Sequence, residues 1–186
     1  MKKIFLLLLL LLLIPTNIFA TTPVIKGVDT LKIGKEVLHQ TATWKKMPAV
    51  VVCTHAPVDK EAVKKAVKFW KNLGYKFHSS IYFKGGHPYD ACTTPEPNGY
   101  IVIDLVTQET YGNHDDMAIT HFYIDNYTRE IYWAKIYLKT RVEERVLEHE
   151  LGHALGWLHS KSRGHLMHKK WVYGGWDITG LKKTIK

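Results

Sequence analysis

Cysteine is scarce in this sequence, since only Cys53 and Cys92 occur among its 186 residues. Internal repeats, low-complexity tracts and interdomain linkers are also lacking beyond the first 20 residues. A chain of this length fits one domain with its own hydrophobic core. Because 46% of the residues are hydrophobic and 23% are charged, the composition is that of a folded globular protein rather than a disordered one.

Acidic residues are outnumbered by basic ones, 17 to 26, which gives the chain a formal net charge of +9. The basic residues are spread over residues 60–76, 135–145 and 161–186, and no signature of RNA or DNA binding accompanies them. We therefore expect no nucleic-acid partner. Two interpretations of the charge stay open, namely attraction to an anionic cell-envelope surface and solubility alone.

Long hydrophobic runs are lacking except at the N-terminus, where residues 4–14 are uniformly apolar and follow Lys2 and Lys3. This run is much shorter than the about 20 residues that a helix needs to span a bilayer. A basic start, a short apolar run and a small residue at Ala20 are typical of a signal peptide. Residues 1–20 are therefore predicted to be cleaved, which makes the mature protein secreted or periplasmic; the alternative is an uncleaved membrane anchor. No lipobox cysteine follows, so a lipoprotein is not expected.

Export would place the two cysteines in an oxidising compartment, where an even number favours a Cys53–Cys92 disulfide over two free thiols. Closing a loop of this length would stabilise the protein by about 3–4 kcal/mol in the chain-entropy description.

Hydrophobic patterning divides the rest of the chain into an N-terminal segment and a main domain. Residues 21–48 are interpreted as an N-terminal arm or a short pro-segment, with a hairpin that turns at Gly34. Residues 49–186 contain short apolar or alternating runs that predict five strands. These strands are expected at residues 49–55, 75–83, 100–106, 118–124 and 129–138.

Two helices are predicted in the main domain. The first begins near Asp59 and ends at Gly74, and its apolar positions recur at three- and four-residue spacing. Those positions are Val63, Ala66, Val67 and Trp70. The second helix is expected to begin after Thr140, because Thr140 and Glu143 have the spacing of a capping box.

The second predicted helix carries the most informative motif, because residues 149–159 read HELGHALGWLH and fit the pattern HExxHxxGxxH. His149 and His153 are four residues apart and therefore project from the same helix face. Two imidazoles at this spacing are typical zinc ligands. Gly156 can adopt a positive φ that ends the helix and returns the chain, so that His159 becomes the third ligand.

The number of ligands in this motif indicates the type of zinc site. Three protein ligands leave the fourth position to water, which is typical of catalytic rather than structural zinc. Glu150 follows the first histidine and is placed to act on that water rather than on the metal. The motif thus favours a metal site over a helix whose histidines are incidental.

This extended motif resembles that of the metzincin zinc peptidases, whose second hallmark is a methionine turn beneath the metal. Residues 162–168, SRGHLMH, fit that turn and assign its methionine to Met167. Among the metzincins, the local motif is most similar to that of the matrixins, because Ser160 directly follows the third histidine. The tyrosine–proline pair that usually follows the matrixin methionine is replaced here by His168 and Lys169. The glycine- and aspartate-rich calcium-binding segments of matrixins are not recognisable, so calcium has no support from the sequence.

The resemblance implies an α+β fold with a twisted, mixed five-stranded sheet, an active-site helix, a backing helix and a small C-terminal subdomain after the methionine turn. It also implies a zinc endopeptidase, in which one zinc ion is held by His149, His153 and His159. Glu150 would then be the general base that activates water. A protein or peptide substrate is the implied partner, and a monomer is expected.

Two further features of the site are implied by the same resemblance. The substrate of a metzincin pairs with an exposed edge strand, which corresponds here to residues 117–124. The wall of the specificity pocket follows the methionine turn and corresponds to residues 168–176. Trp171 and Tyr173 are candidates to shape that pocket, and an equal alternative is that both are core aromatics.

Other histidines could also bind metal or could be structural. One group precedes and enters the fourth predicted strand and has two interpretations, a second metal site or a solvated loop. Its members are His114, Asp115, Asp116 and His121. His165 and His168 flank Met167 and are interpreted as turn residues.

Two rival functions stay open beside the endopeptidase. One is a zinc-dependent amidase or peptidase that acts on cell-wall peptides, which the positive charge would suit. The other is a non-catalytic binding protein that has retained the zinc site, although such a protein has no need of Glu150.

Overall fold

A computed structural model describes residues 29–33, 36–83, 90–107, 116–139 and 143–183. The predicted signal peptide lies outside the described residues, as do the hairpin turn at Gly34, the candidate ligands His114 and Asp115, and the predicted helix cap at Thr140. Within the described part of the chain, no helix is both long enough and apolar enough to cross a membrane.

The strands form one hairpin and one mixed, mostly parallel sheet. In the hairpin, β1 (Asp29–Ile33) pairs antiparallel with β2 (Glu36–Gln40), as the sequence predicts. The sheet contains β3 (Thr43–Trp44), β4 (Ala49–Val52), β5 (Ile81–Phe83), β6 (Tyr100–Leu105), β7 (Ala118–Ile124) and β8 (Glu130–Leu138). Its hydrogen-bonded order is β3–β8–β6–β4–β5, and β7 also pairs with β8. Only the β7–β8 pair is antiparallel among the described strands of this sheet.

The first helix, α1 (Lys60–Asn72), has the ends that the sequence predicts. The Asp59 carboxylate caps it by accepting the Ala62 N–H at 2.7 Å. Gly74 follows it with φ +94°, a left-handed conformation that suits glycine. All four predicted apolar positions of α1 are buried.

The second helix, α2 (Val146–Ala154), starts later than predicted. The predicted capping box is wrong, because Glu143 precedes the helix by three residues and its carbonyl accepts the Val146 N–H in a turn. Arg145 occupies the N-cap position with φ 72° and makes no side-chain capping bond. A left-handed residue cannot belong to a right-handed helix, so α2 cannot extend back past Arg145.

All five predicted strands are present, and the two-residue β3 is a sixth that the patterning does not indicate. The predicted strand at residues 75–83 is wrong in its first part, because only Ile81–Phe83 joins the sheet. The Tyr75 N–H instead bonds to the Trp70 carbonyl at the end of α1, and Phe77 is buried in the helical core. Burial beneath α1 therefore overrides the alternating pattern there.

Both helices pack against the same face of the sheet. Trp70 is fully buried between them and donates its indole N–H to the Glu148 carbonyl at 2.8 Å, which joins α1 to α2. The sheet supplies the opposing wall of this core through Ile101, Ile103, Ala134, Ile136 and Leu138. Because α2 carries the HExxH residues, the core fixes the position of the candidate site.

The opposite face of the sheet carries a smaller apolar cluster around the predicted disulfide. Cys53 and Cys92 are bonded, and Cys53 packs with Val51, Ala91 and Val102. The bond connects the end of β4 to the loop before β6. A disulfide is consistent with an oxidising, extracellular-type environment.

Replacing both cysteines, Cys53→Ala with Cys92→Ala, should lower the free energy of unfolding by about 2–4 kcal/mol. The bond closes a segment with a sequence separation of 39, so its loss gives the unfolded chain more conformational freedom. Urea unfolding of parent and variant measures the difference, and a reductant added to the parent should reproduce it. Equal unfolding midpoints for all three samples would contradict a stabilising role.

Candidate metal centre

Three histidine side chains converge at the end of α2. The Nε2 atom of His153 lies 3.0 Å from Nε2 of His149 and 3.1 Å from Nε2 of His159. These are the three histidines that the motif assigns as ligands, and together they could hold a metal ion. Among the described residues, no other group of three histidine, cysteine or acidic side chains has this geometry.

Backbone carbonyls fix the tautomer of two of these rings. Nδ1 of His149 lies 2.8 Å from the Leu166 carbonyl, and Nδ1 of His153 lies 2.7 Å from the Trp157 carbonyl. Because a carbonyl can only accept, each Nδ1 carries the proton and each neutral ring directs the lone pair of Nε2 toward the centre. Such a bond to the second ring nitrogen is typical of histidines that bind metal.

Burial keeps the cluster neutral. It lowers the pKa of His149 to about 4 and that of His159 to about 3, with the neighbouring histidines adding to both effects. Burial also lowers the pKa of His153. At neutral pH the three rings are therefore uncharged, and the Nε2 lone pairs of His149 and His153 face each other with no proton between them, an arrangement that a cation would stabilise.

The separation of these nitrogens fits a single ion. Two nitrogens bound at about 2.0–2.1 Å to one tetrahedral ion lie about 3.3 Å apart. The observed contacts of 3.0 and 3.1 Å are close to that value. The residues present thus suit one small ion with three protein ligands.

The end of α2 makes the third histidine available. Gly156 has φ +94°, and the N–H groups of Gly156 and Trp157 bond to the carbonyls of His153 and Gly152. This is the Schellman pattern of helix termination. A Cβ at Gly156 would lie 2.1 Å from the Ala42 carbonyl oxygen, so both the backbone angle and the space require glycine.

The N-terminal arm buttresses this helix end. Its donors reach three successive carbonyls: the Trp44 indole bonds to Ala154, the Gln40 amide to Leu155, and the Thr41 N–H to Gly156, at 2.8–2.9 Å. Free carbonyls at a helix C-terminus need partners when they are buried. Residues 40–44 supply them and so hold the turn that leads to His159.

Met167 lies beneath α2, as the methionine turn predicts. It is fully buried, and its sulfur packs so closely on Gly152 that a Cβ at that glycine would lie 2.4 Å away. The adjacent Leu166 supplies the carbonyl that orients His149. The Met167 carbonyl in turn accepts the Ser160 N–H at 2.7 Å, which ties the turn to the residue after His159.

Glu150 lies beside the histidines with its carboxylate 2.6 Å from the Thr120 hydroxyl. The side chain is buried, and this burial raises the carboxyl pKa, although His149 and the Thr120 hydrogen bond oppose the change. Thr120 has no counterpart in the HExxH motif. Its only signal in the sequence is a hydroxyl between Ala118 and Phe122, at a position where the alternation of β7 directs side chains inward.

A cleft of about 680 Å³ opens over these residues. One wall is the edge of β7 at residues 117–120, and another is the segment 168–171 after the methionine turn. Among the described strands, only β8 pairs with β7. The other edge of β7 borders the cleft.

The two aromatic candidates lie differently around the cleft. Trp171 lines it and donates its indole N–H to the Glu144 carbonyl at 2.9 Å. Tyr173 does not line it and instead packs against the His168 ring and beneath the Arg163 guanidinium. With exposed fractions of 37% and 40%, neither is a core aromatic.

The other candidate histidines are not members of the cluster. His165 is buried and bonds to the Met167 N–H through Nδ1 and to the Thr179 carbonyl through Nε2. His168 accepts the Lys170 N–H, which agrees with a turn residue. His121 packs on Tyr137 at the outer face of the sheet. Within the described residues, therefore, His121 and Asp116 form no second metal cluster.

No protein-family model matches the sequence of this chain, and no curated protein matches it.

One divalent ion should bind each chain and should be lost in His159→Ala, because two ligands from one helix cannot replace three converging ones. His168→Ala is the matched control, since this nearby histidine is turned toward Lys170 and should not affect metal content. Elemental analysis and competition with a chromogenic chelator measure stoichiometry and affinity. Full metal affinity in His159→Ala, or loss of affinity in His168→Ala, would show that His159 is not the third ligand.

Proposed function

We propose that this protein is an exported zinc-dependent endopeptidase of the metzincin type, most similar in its local motif to the matrixins. The observation that carries the proposal is the convergence of three neutral imidazoles beside a buried glutamate, in a cleft bordered by a strand edge. The disulfide supports export, because such bonds persist in oxidising compartments.

Zinc is the ion that suits this donor set best. Neutral imidazole nitrogens are good zinc ligands, and three of them leave one position open. His149, His153 and His159 would hold the ion. When bound, zinc would supply Lewis-acid chemistry, which polarises a carbonyl and acidifies a water molecule.

Glu150 would perform the proton transfers. Its carboxylate would accept a proton from the attacking water and deliver it to the leaving nitrogen of the peptide. Burial supports this role, because a raised carboxyl pKa brings the group closer to the pH at which it must both take and give a proton. Thr120 would act as a positioning residue by holding one carboxylate oxygen.

The β7 edge would bind the substrate backbone. A peptide in extended conformation can add to an exposed strand edge through main-chain hydrogen bonds, and residues 117–120 of β7 line the cleft beside Glu150. The scissile bond would then lie between this edge and the histidines. Side chains of the substrate would project into the cleft toward residues 168–171.

Glu150→Gln should retain bound metal but lose at least about 99% of peptide hydrolysis, because the amide has the shape of the carboxylate but cannot accept the proton. Cleavage of a peptide library, with and without a chelator, measures activity and metal dependence together. A Glu150→Gln protein that cleaves as fast as the parent would refute the role of Glu150. A parent that cleaves nothing when metal-loaded would refute the peptidase.

Thr120→Val should shift the acidic limb of the kcat/KM profile to higher pH. Burial raises the Glu150 pKa, and the Thr120 hydroxyl opposes that rise by stabilising the ionised carboxylate. Removing the hydroxyl should therefore raise the Glu150 pKa further. Thr120→Ser is the matched control, because it retains the hydroxyl and should keep the parent profile. An unshifted profile in Thr120→Val, together with unchanged kcat, would show that the hydrogen bond does not position Glu150.

A further inference from the structure

Arg145 stands at the mouth of the cleft in an unusual backbone conformation. Its φ of 72° is left-handed, and the only other described non-glycine residue with positive φ is Arg129 in the turn before β8. Such conformations are disfavoured for residues with a Cβ, and they persist where the surrounding structure requires them. Here the conformation leaves Arg145 outside α2, at the N-cap, where its side chain lines the cleft.

The guanidinium of Arg145 is held in place by the segment after the methionine turn. It lies 5.1 Å from the centre of the Trp171 ring, a cation–π contact. Nη1 is so close to Gly174 that a Cβ there would lie 2.9 Å from it. The Trp171 indole N–H also donates to the carbonyl of Glu144, the residue before Arg145. The segment after the methionine turn is thus bonded to the backbone beside Arg145 and packs on its side chain.

The wall of the cleft around Arg145 is rich in positive charge. Lys169 and Lys170 line the cleft with Arg145, and in the described part of the chain no carboxylate lies within ion-pair distance of these three side chains. Arg145 also borders a second cleft against α1, together with Glu144 and Glu148; its charge acts on Glu148 at longer range, but neither carboxylate forms an ion pair with it. The only described acid that shares the main cleft, apart from Glu150, is the exposed Asp116 at the β7 end.

We propose that this wall selects substrates that carry a carboxylate close to the scissile bond. The inference rests on the proposed peptidase and names its substrate class. A fixed guanidinium binds a carboxylate through two parallel hydrogen bonds, and no described carboxylate forms an ion pair with Arg145 that would compete. The carboxylate can belong to an acidic side chain or to the C-terminus of a peptide, and the two sources share the same chemistry.

Matched peptides test the preference directly. Once a cleaved sequence is known, Glu and Gln are exchanged at each of the two positions on both sides of the scissile bond, and each peptide is made with a free or an amidated C-terminus. The metal-loaded parent should cleave the favoured Glu peptide with a kcat/KM about 10- to 100-fold above that of its Gln partner. A preference for the free C-terminus over the amide would instead identify the terminal carboxylate as the source.

Variants of Arg145 separate its charge from its backbone role. Arg145→Gln removes the charge, and Arg145→Gly also does so while allowing the left-handed φ without strain. Both should reduce the Glu-over-Gln ratio of kcat/KM, measured within each variant, to below about threefold. Arg163→Gln is the control, because Arg163 packs on Tyr173 away from the cleft and its loss should leave the ratio unchanged.

Binding to metal-loaded Glu150→Gln protein gives a second readout that does not require turnover. Fluorescence anisotropy should show tighter binding of the carboxylate-bearing peptide than of its neutral partner, and Arg145→Gln in the same background should abolish the difference. Equal binding and equal cleavage of the paired peptides would overturn the carboxylate preference and leave the peptidase intact. Absence of any cleavage by the parent would overturn the peptidase, whatever the binding shows.

Discussion

The candidate site depends on one abrupt change of chain direction at Gly156. His149 and His153 would align on α2 in any helix, but His159 reaches them only because the chain turns back immediately after Leu155. The left-handed φ of Gly156 permits this turn, and the Ala42 carbonyl occupies the space where a side chain would otherwise lie. Backbone geometry at one residue thus determines whether the cluster has two histidines or three.

Orientation of the histidines comes from groups that lie outside α2. The carbonyls of Leu166 and Trp157 fix the two helical rings, and Met167 supports the helix beneath them. None of these groups needs to contact a metal. They set the direction of the Nε2 lone pairs before any ion arrives. The side-chain entropy of the ligands is therefore lost during folding rather than on metal binding.

Much of this arrangement could be predicted from the sequence, because its signals are local. The spacing of His149, His153 and Gly156 specifies the helix face and the helix end, and the apolar period of α1 specifies its buried side. The start of α2 could not be predicted in the same way. Thr140 and Glu143 have capping-box spacing, but the helix begins only after the left-handed Arg145, whose side chain contacts Trp171 and Gly174. The hydrogen bond from Thr120 to Glu150 could not be predicted either, because the two residues are 30 positions apart and no local pattern links them.

The contacts that residues 40–44 make with the end of α2 also bear on how the protein folds. They join groups that are 110 and 115 residues apart in the chain, so their formation has to overcome the entropy of closing a long loop. We therefore expect the histidine cluster to be completed late in folding, once residues 40–44 have reached the end of α2. An incompletely folded chain would lack the third histidine position, and assembly of the site would coincide with completion of the native structure.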